Sequence, residues 1–154
     1  MAGELLEKST VPGEVFVWHD ILYDGPRTPG WPDRSTLEAR AEFLSEFTGG
    51  GLSRSSVMNT LVKQYDKLKA AGQYNRVVLW FDACLFDQSM LCHILACLNS
   101  PGNREIQLLC VDRFTGIDPY HGLGQLTPAQ MASVYDRRQT VTTKQFEFAE
   151  QVDK

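Results

Sequence analysis

RVVLWFDACLFDQSMLCHILACL, residues 76–98, is the stretch whose reading decides the fold. Its first part is apolar at almost every position rather than at every second one. A strand covered on both faces requires that pattern, because side chains of both phases then need an apolar neighbour. Asp82 and a short break follow. From Leu85 to Leu98 the chain is again apolar almost all round, which predicts a well-covered helix. Asn99-Ser100-Pro101-Gly102 supplies its stop signal. The stretch therefore reads as a strand feeding a helix.

The same strand pattern occurs twice more, in EVFVW (14–18) and EIQLLCV (105–111). Helical patterns lie between the three. Ser35 and Glu38 have capping-box spacing, with Leu37, Leu44 and Phe47 following at helical intervals and Gly49-Gly50-Gly51 as the stop. A second helix is expected from about Ser53 to Ala71, with Val57, Leu61, Tyr65 and Leu68 on one stripe, ending at Gly72. Thr127 with Gln130, and Thr142 with Gln145, make two further capping boxes. Pro128 occupies the first turn of the earlier one, and Leu126–Met131 and Val141–Phe146 can form staples across the two caps. Strands alternating with helices imply right-handed crossovers. The expected architecture is α/β, a three-layer open, mainly parallel sheet with helices on both faces, in a single domain over 1–154.

Composition narrows the function classes. Apolar content of 43% and charged content of 22% suit a globular domain. A net charge of −4 with scattered Lys and Arg argues against a general nucleic-acid binder. No run is long and apolar enough to span a membrane. The start MAGELLEKST carries acids where a signal peptide needs positive charge, so a cytoplasmic location is expected. Cys84, Cys92, Cys97 and Cys110 lack paired C-x-x-C spacing, three of them lie inside apolar runs, and they read as buried free thiols. Cys84 stands near a helix start, where a thiolate is favoured.

The three strand-like runs end VWHD, LWFD and LCVD, so Asp20, Asp82 and Asp112 each follow one of them. In a parallel sheet all carboxyl ends share one edge, where open α/β folds place their ligands. Crowded carboxylates there would hold Mg²⁺ or take up acid–base work. Asp20, Asp82 and Asp112 are the candidate metal set; Asp20, Asp112 and His121 are the candidate catalytic groups. His19, Asp24, Asp82, Asp87, Gln88, Gly122, Gly124 and Gln125 are the candidate ligand contacts. The bland alternative is that each Asp only ends its strand. Gly122 and Gly124 precede a helix start whose amides could favour phosphate, although the third glycine of a dinucleotide fingerprint and the Lys of a P-loop are missing. Asp87 sits in the first turn of the 85–98 helix, with two candidate jobs: a partner for the helix dipole, or a brace for the 113–126 loop.

VPGEVFVWHDILYDGPR, VVLWFDACLFDQSML and FTGIDPYHGLGQLTPAQM…RRQTVTTKQF together resemble the bacterial domain-of-unknown-function family numbered 1835, from roughly Val11 to Glu150. The resemblance implies an α/β domain of the bacterial cytosol and supplies no activity. Members usually carry one more strand before the piece matching GELLEKSTVPGEV, so this chain reads as truncated or started late. A sheet edge left open in that way invites homodimer pairing. Members also often have Glu-His-Asp where this chain has Asp82-Ala83-Cys84.

Two functions are therefore expected at nearly equal weight. One is a site for a small polar or phosphorylated ligand, with Mg²⁺-assisted hydrolysis as its chemistry. The other is a non-catalytic regulatory or protein-interaction domain in which the acids only shape loops. Whether the protein is an enzyme is left open between them.

Overall fold

A computed structural model describes residues 2–100 and 105–154. Pro101 and Gly102, half of the expected stop after the apolar helix, lie outside the described residues. The fold is mixed α/β. The element order is α1 (Ala2–Glu7), α2 (Arg34–Phe47), α3 (Arg54–Ala70), β1 (Arg76–Asp82), α4 (Leu85–Leu98), β2 (Glu105–Val111), α5 (Pro128–Tyr135), β3 (Gln139–Thr140) and α6 (Thr143–Asp153).

The sheet is small and mixed, in the order β1-β2-β3. β1 and β2 run parallel and in register from Arg76 opposite Glu105 to Asp82 opposite Val111. β3 is a two-residue strand antiparallel to β2. The run-on apolar pattern is explained by two clusters. Val77, Leu79, Phe81, Ile106 and Leu108 enter a large core with α2, α3, α4 and α6, whereas Val78, Trp80, Leu109 and Val111 enter a smaller one with α1, α5 and the loop at 114–126. Successive side chains of a strand point to opposite faces, so both phases must be apolar here.

The expected first strand is corrected. Residues 14–18 form no strand, so the sheet is only partly parallel. This segment runs against α3 instead. Glu14 pairs with Lys67 and Tyr74, the Trp18 ring stands edge-on to Tyr65 at 5.0 Å, and the His19 amide donates to Gln64 Oε1 at 2.6 Å. A helix surface offers side-chain acceptors but no free backbone ladder, so an apolar segment docks there without becoming a strand.

Local end signals hold closely. Ser53 caps α3, and both capping boxes form, Thr127 with Gln130 and Thr142 with Gln145. α2 is the exception, because its cap is Asp33, whose carboxylate accepts from the Thr36 amide at 2.8 Å. Asp33 outcompetes Ser35 by standing one residue before the helix, where its side chain reaches the third amide. Among the described residues, no helix is long and apolar enough to cross a membrane.

Candidate functional site

The carboxyl ends of β1 and β2 are organised by Asp82. Its carboxylate is half-buried and accepts the Leu123 amide at 3.1 Å and the Tyr120 hydroxyl at 2.9 Å. Burial raises its pKa above the ordinary aspartate value, the Leu123 and Tyr120 bonds lower it, and nearby Asp87 raises it further. Asp87 turns back onto β1, accepting the Asp82 amide at 2.6 Å, and Gln88 donates to the Asp82 carbonyl at 2.9 Å. The brace for the 113–126 loop is thus Asp82, and Asp87 fixes the backbone that carries it. Sequence reasoning gave that task to the wrong carboxylate, because the choice depends on which one faces the smaller cluster.

Gly122 is part of the same contact. It is buried at φ +152°, and a Cβ there would stand 2.8 Å from Asp82 Oδ2. Gly122→Ala should therefore force the carboxylate aside, loosen the loop and cost about 1–3 kcal/mol in chemical denaturation. Asp82→Asn should leave the helices intact while exposing the 113–126 backbone to faster proteolysis.

Several amides around the two glycines already have acceptors in or beside the loop. Leu123 N–H goes to Asp82, His121 N–H to Gln125 Oε1, Gln125 N–H to the Gly122 carbonyl and Leu126 N–H to the Leu123 carbonyl. The loop continues into a short 3₁₀ turn at Leu123–Gln125 rather than directly into α5. Asp112 and His121 are exposed at this edge, as is Gly124. Among the described residues, Asp82, Asp87 and Asp112 form no ion pair. After burial, the negative charges of Asp112, Asp82 and Asp87 help raise the Cys110 thiol.

The metal expectation is corrected. Among the described residues, no three of His, Cys, Asp and Glu stand close enough to hold an ion, so Asp20, Asp82 and Asp112 do not converge. Asp20 has a different job. Its fully buried carboxylate takes Arg40 Nε at 3.0 Å and Arg40 Nη2 at 2.6 Å. Arg40 also donates to the carbonyls of Ile21, Asp24 and Pro26, which fixes the 20–26 turn. Asp24 accepts from the Gly25 amide at 2.7 Å within that turn. Its side chain is inaccessible and ion-paired, so it does not reach a substrate for the acid–base role expected of it. His19 is exposed beside α3, its amide held by Gln64.

A second polar centre surrounds His93, a packed histidine of the apolar helix as its place in the sequence suggests, with partners that the sequence does not reveal. His93, buried within α4, holds the Tyr65 hydroxyl at 2.7 Å through Nε2 and Asp153 Oδ1 at 2.8 Å through Nδ1. Asp153, the last residue of α6, also takes Arg27 Nη1 and the Gly30 amide, each at 2.6 Å. Cys97 Sγ lies 3.8 Å from His93 Nε2, but burial pushes its thiol up to about 12. The order acid, imidazole, thiol matches that of a nucleophilic triad. Tyr65, His93, Cys97 and Asp153 are all nearly inaccessible, however, so the network joins α3, α4, α6 and the 27–30 turn and meets no substrate.

Apolar side chains crowd the carboxyl edge itself. Leu85 is 67% exposed and Phe86 51%, and the Tyr23 ring packs edge-on against Phe86 at 4.9 Å. Cys84, at the N-cap of α4, is exposed and makes no side-chain capping bond. No protein-family model, curated protein or solved structure matches the chain.

Proposed function

We propose that this domain is a non-catalytic interaction module whose binding face is the carboxyl edge of β1 and β2. The partner is a peptide segment with an apolar anchor flanked by Lys or Arg. The observation that carries this reading is the pairing of exposed Tyr23, Leu85 and Phe86 with Asp82, Asp87 and Asp112, none of which is in an ion pair among the described residues. Exposed aromatic and apolar anchors beside charged groups are common in binding patches. Acids of this kind steer a basic partner and choose among candidates more than they add affinity.

A small polar ligand at the same edge is the second reading. The raised pKa of half-buried Asp82 favours it, since perturbed carboxyls cluster at functional sites. The bonds that Asp82 accepts from Leu123 and Tyr120, and Asp20 from Arg40, weigh against Mg²⁺-assisted hydrolysis, because they engage the carboxylates that would do the work.

Selection of phage-displayed random peptides against the whole chain separates the two readings. The interaction reading expects enriched sequences with Lys or Arg beside a large apolar residue. Their binding should weaken with salt and fall about tenfold or more in Phe86→Asp. Peptides that bind wild type and Phe86→Asp alike would exclude this face. Salt-insensitive binding would remove the role given to the acids.

A further inference from the structure

Away from the carboxyl edge, the C-terminal half of α2, the turn after it, the N-terminal half of α3 and residues 18–21 enclose a cleft of about 340 Å³. That volume lies at the lower end of the range for small-molecule sites, roughly 300–1,000 Å³. Its walls are Trp18, Leu44, Phe47, Leu52, Val57 and Leu61. Leu44, Val57 and Leu61 are core residues, which gives the cleft a fixed floor. Phe47 and Leu52 stay 55% and 51% exposed, so apolar surface is left in water there.

The polar groups are few. Besides Asp20, the side chains of His19, Thr48, Ser56 and Thr60 line the cleft, and the Thr48 hydroxyl is already occupied by the Ser45 carbonyl and the Leu52 amide. The Thr60 hydroxyl donates to the Ser56 carbonyl at 3.1 Å and is thereby occupied. Among the described residues, the His19 ring and the Ser56 hydroxyl have no hydrogen-bond partner, and both residues are exposed. Asp20 is the one acid of the lining, and Arg40 neutralises it beneath the surface. The cleft thus offers unspent donors and no unpaired carboxylate.

We infer that this cleft binds a small molecule with a flat, ring-sized apolar body and a single hydrogen-bond-accepting head, a carboxylate or carbonyl. The body lies against Trp18, whose ring is held edge-on by Tyr65, and the head meets the His19 imidazole and the Ser56 hydroxyl. Apolar walls with a few convergent polar groups bind in this manner, the walls giving affinity and the polar groups orientation. A carboxylate head that accepts from the His19 imidazole and the Ser56 hydroxyl is held at two points, which orients it. Asp20, paired with Arg40, is the acid beside His19 in the chain; Arg54, Lys63, Asp66 and Lys69 are exposed charges on α3, and Lys67 there pairs with Glu14.

Indole-3-carboxylate and indole are suitable probes, followed by saturation-transfer NMR and thermal shift on the whole chain. Indole-3-carboxylate should bind saturably and raise the melting temperature. Thr60→Trp and Ser56→Trp each place an indole in the cleft from an exposed helix position, so the fold should be kept. Either should weaken the probe about tenfold or more, the equivalent of ~1.4 kcal/mol. His19→Ala should weaken indole-3-carboxylate severalfold and leave indole unchanged. Absence of saturable binding, or equal binding in both Trp variants while circular dichroism reports a native fold, would overturn the site. Equal loss of indole and indole-3-carboxylate in His19→Ala would overturn the assignment of the head. The Phe86→Asp variant should bind the probe as wild type does, which keeps this result separate from that for the peptide face.

Discussion

Arg40→Met should be among the most destabilising single substitutions in this protein, costing about 3–5 kcal/mol in urea or thermal denaturation. Arg40 is 2% exposed and Asp20 is buried against it. Methionine fills much of the same volume but leaves a buried carboxylate without a counter-charge. The carbonyls of Ile21, Asp24 and Pro26 lose their donor in the same step. The cost comes from the unpaired charge, so Asp20→Asn in the Arg40→Met background should recover part of it. If Arg40→Met unfolds with wild-type stability, the turn at 20–26 is held by something other than this pair.

The second large effect belongs to Asp153. Asp153→Asn keeps the shape and removes the charge that Arg27, His93 and the Gly30 amide share. Bonds to charged groups contribute roughly 1.5–3 kcal/mol, and the expected loss is about 2–3 kcal/mol because the Arg27 side chain is about a third exposed. Desolvation acts to raise the Asp153 pKa, yet the bonds from His93 and Gly30 and the charges of His93 and Arg27 leave it below 3.8. A depressed carboxyl contributes stability that is fully present above its unfolded value of 3.8 and is lost as the pH falls through the lower folded value. Wild type and Asp153→Asn should therefore differ most at neutral pH, and the difference should shrink as the pH falls from 3.8 through the lower folded value. A difference that stays constant through that range would assign the effect to packing rather than charge.

Local signals made the fold legible where one segment contained the whole cause. The β1–α4 unit, both capping boxes and the Ser53 cap are written in a few adjacent residues. Glu14–Trp18 was misread because an apolar run states that a segment needs cover, not whether sheet or helix provides it. Phe16 and Val17 remain 44% and 43% exposed, which a doubly covered strand would not allow. The polar centres were harder still, as each joins residues far apart in sequence. They left one trace: Arg40 falls on the stripe of Leu37, Ala41 and Leu44, Gln64 on that of Leu61, Tyr65 and Leu68, and Asp153 one turn beyond Ala149. A polar residue on an apolar stripe has to be satisfied from within the protein. Asp82 left no such trace, because an acid after a strand looks the same whether it ends the strand or holds a loop.

The two sides of the β1–β2 pair also differ in depth. On one, four long helices share a core tied together by the Arg40 and Asp153 networks. On the other, short α1 and α5 and a long loop lie over fewer buried residues, with Asp82 holding the loop. Opening free energies follow buried contacts and tethers, so the shallower side is expected to open at a lower free energy than the deeper one. Amide hydrogen exchange should accordingly be faster in α1, α5 and the 114–126 loop than in α2, α3 and α4. The loop that reaches the carboxyl edge lies on the shallower side, so it can move while Leu85 and Phe86 stay anchored on α4.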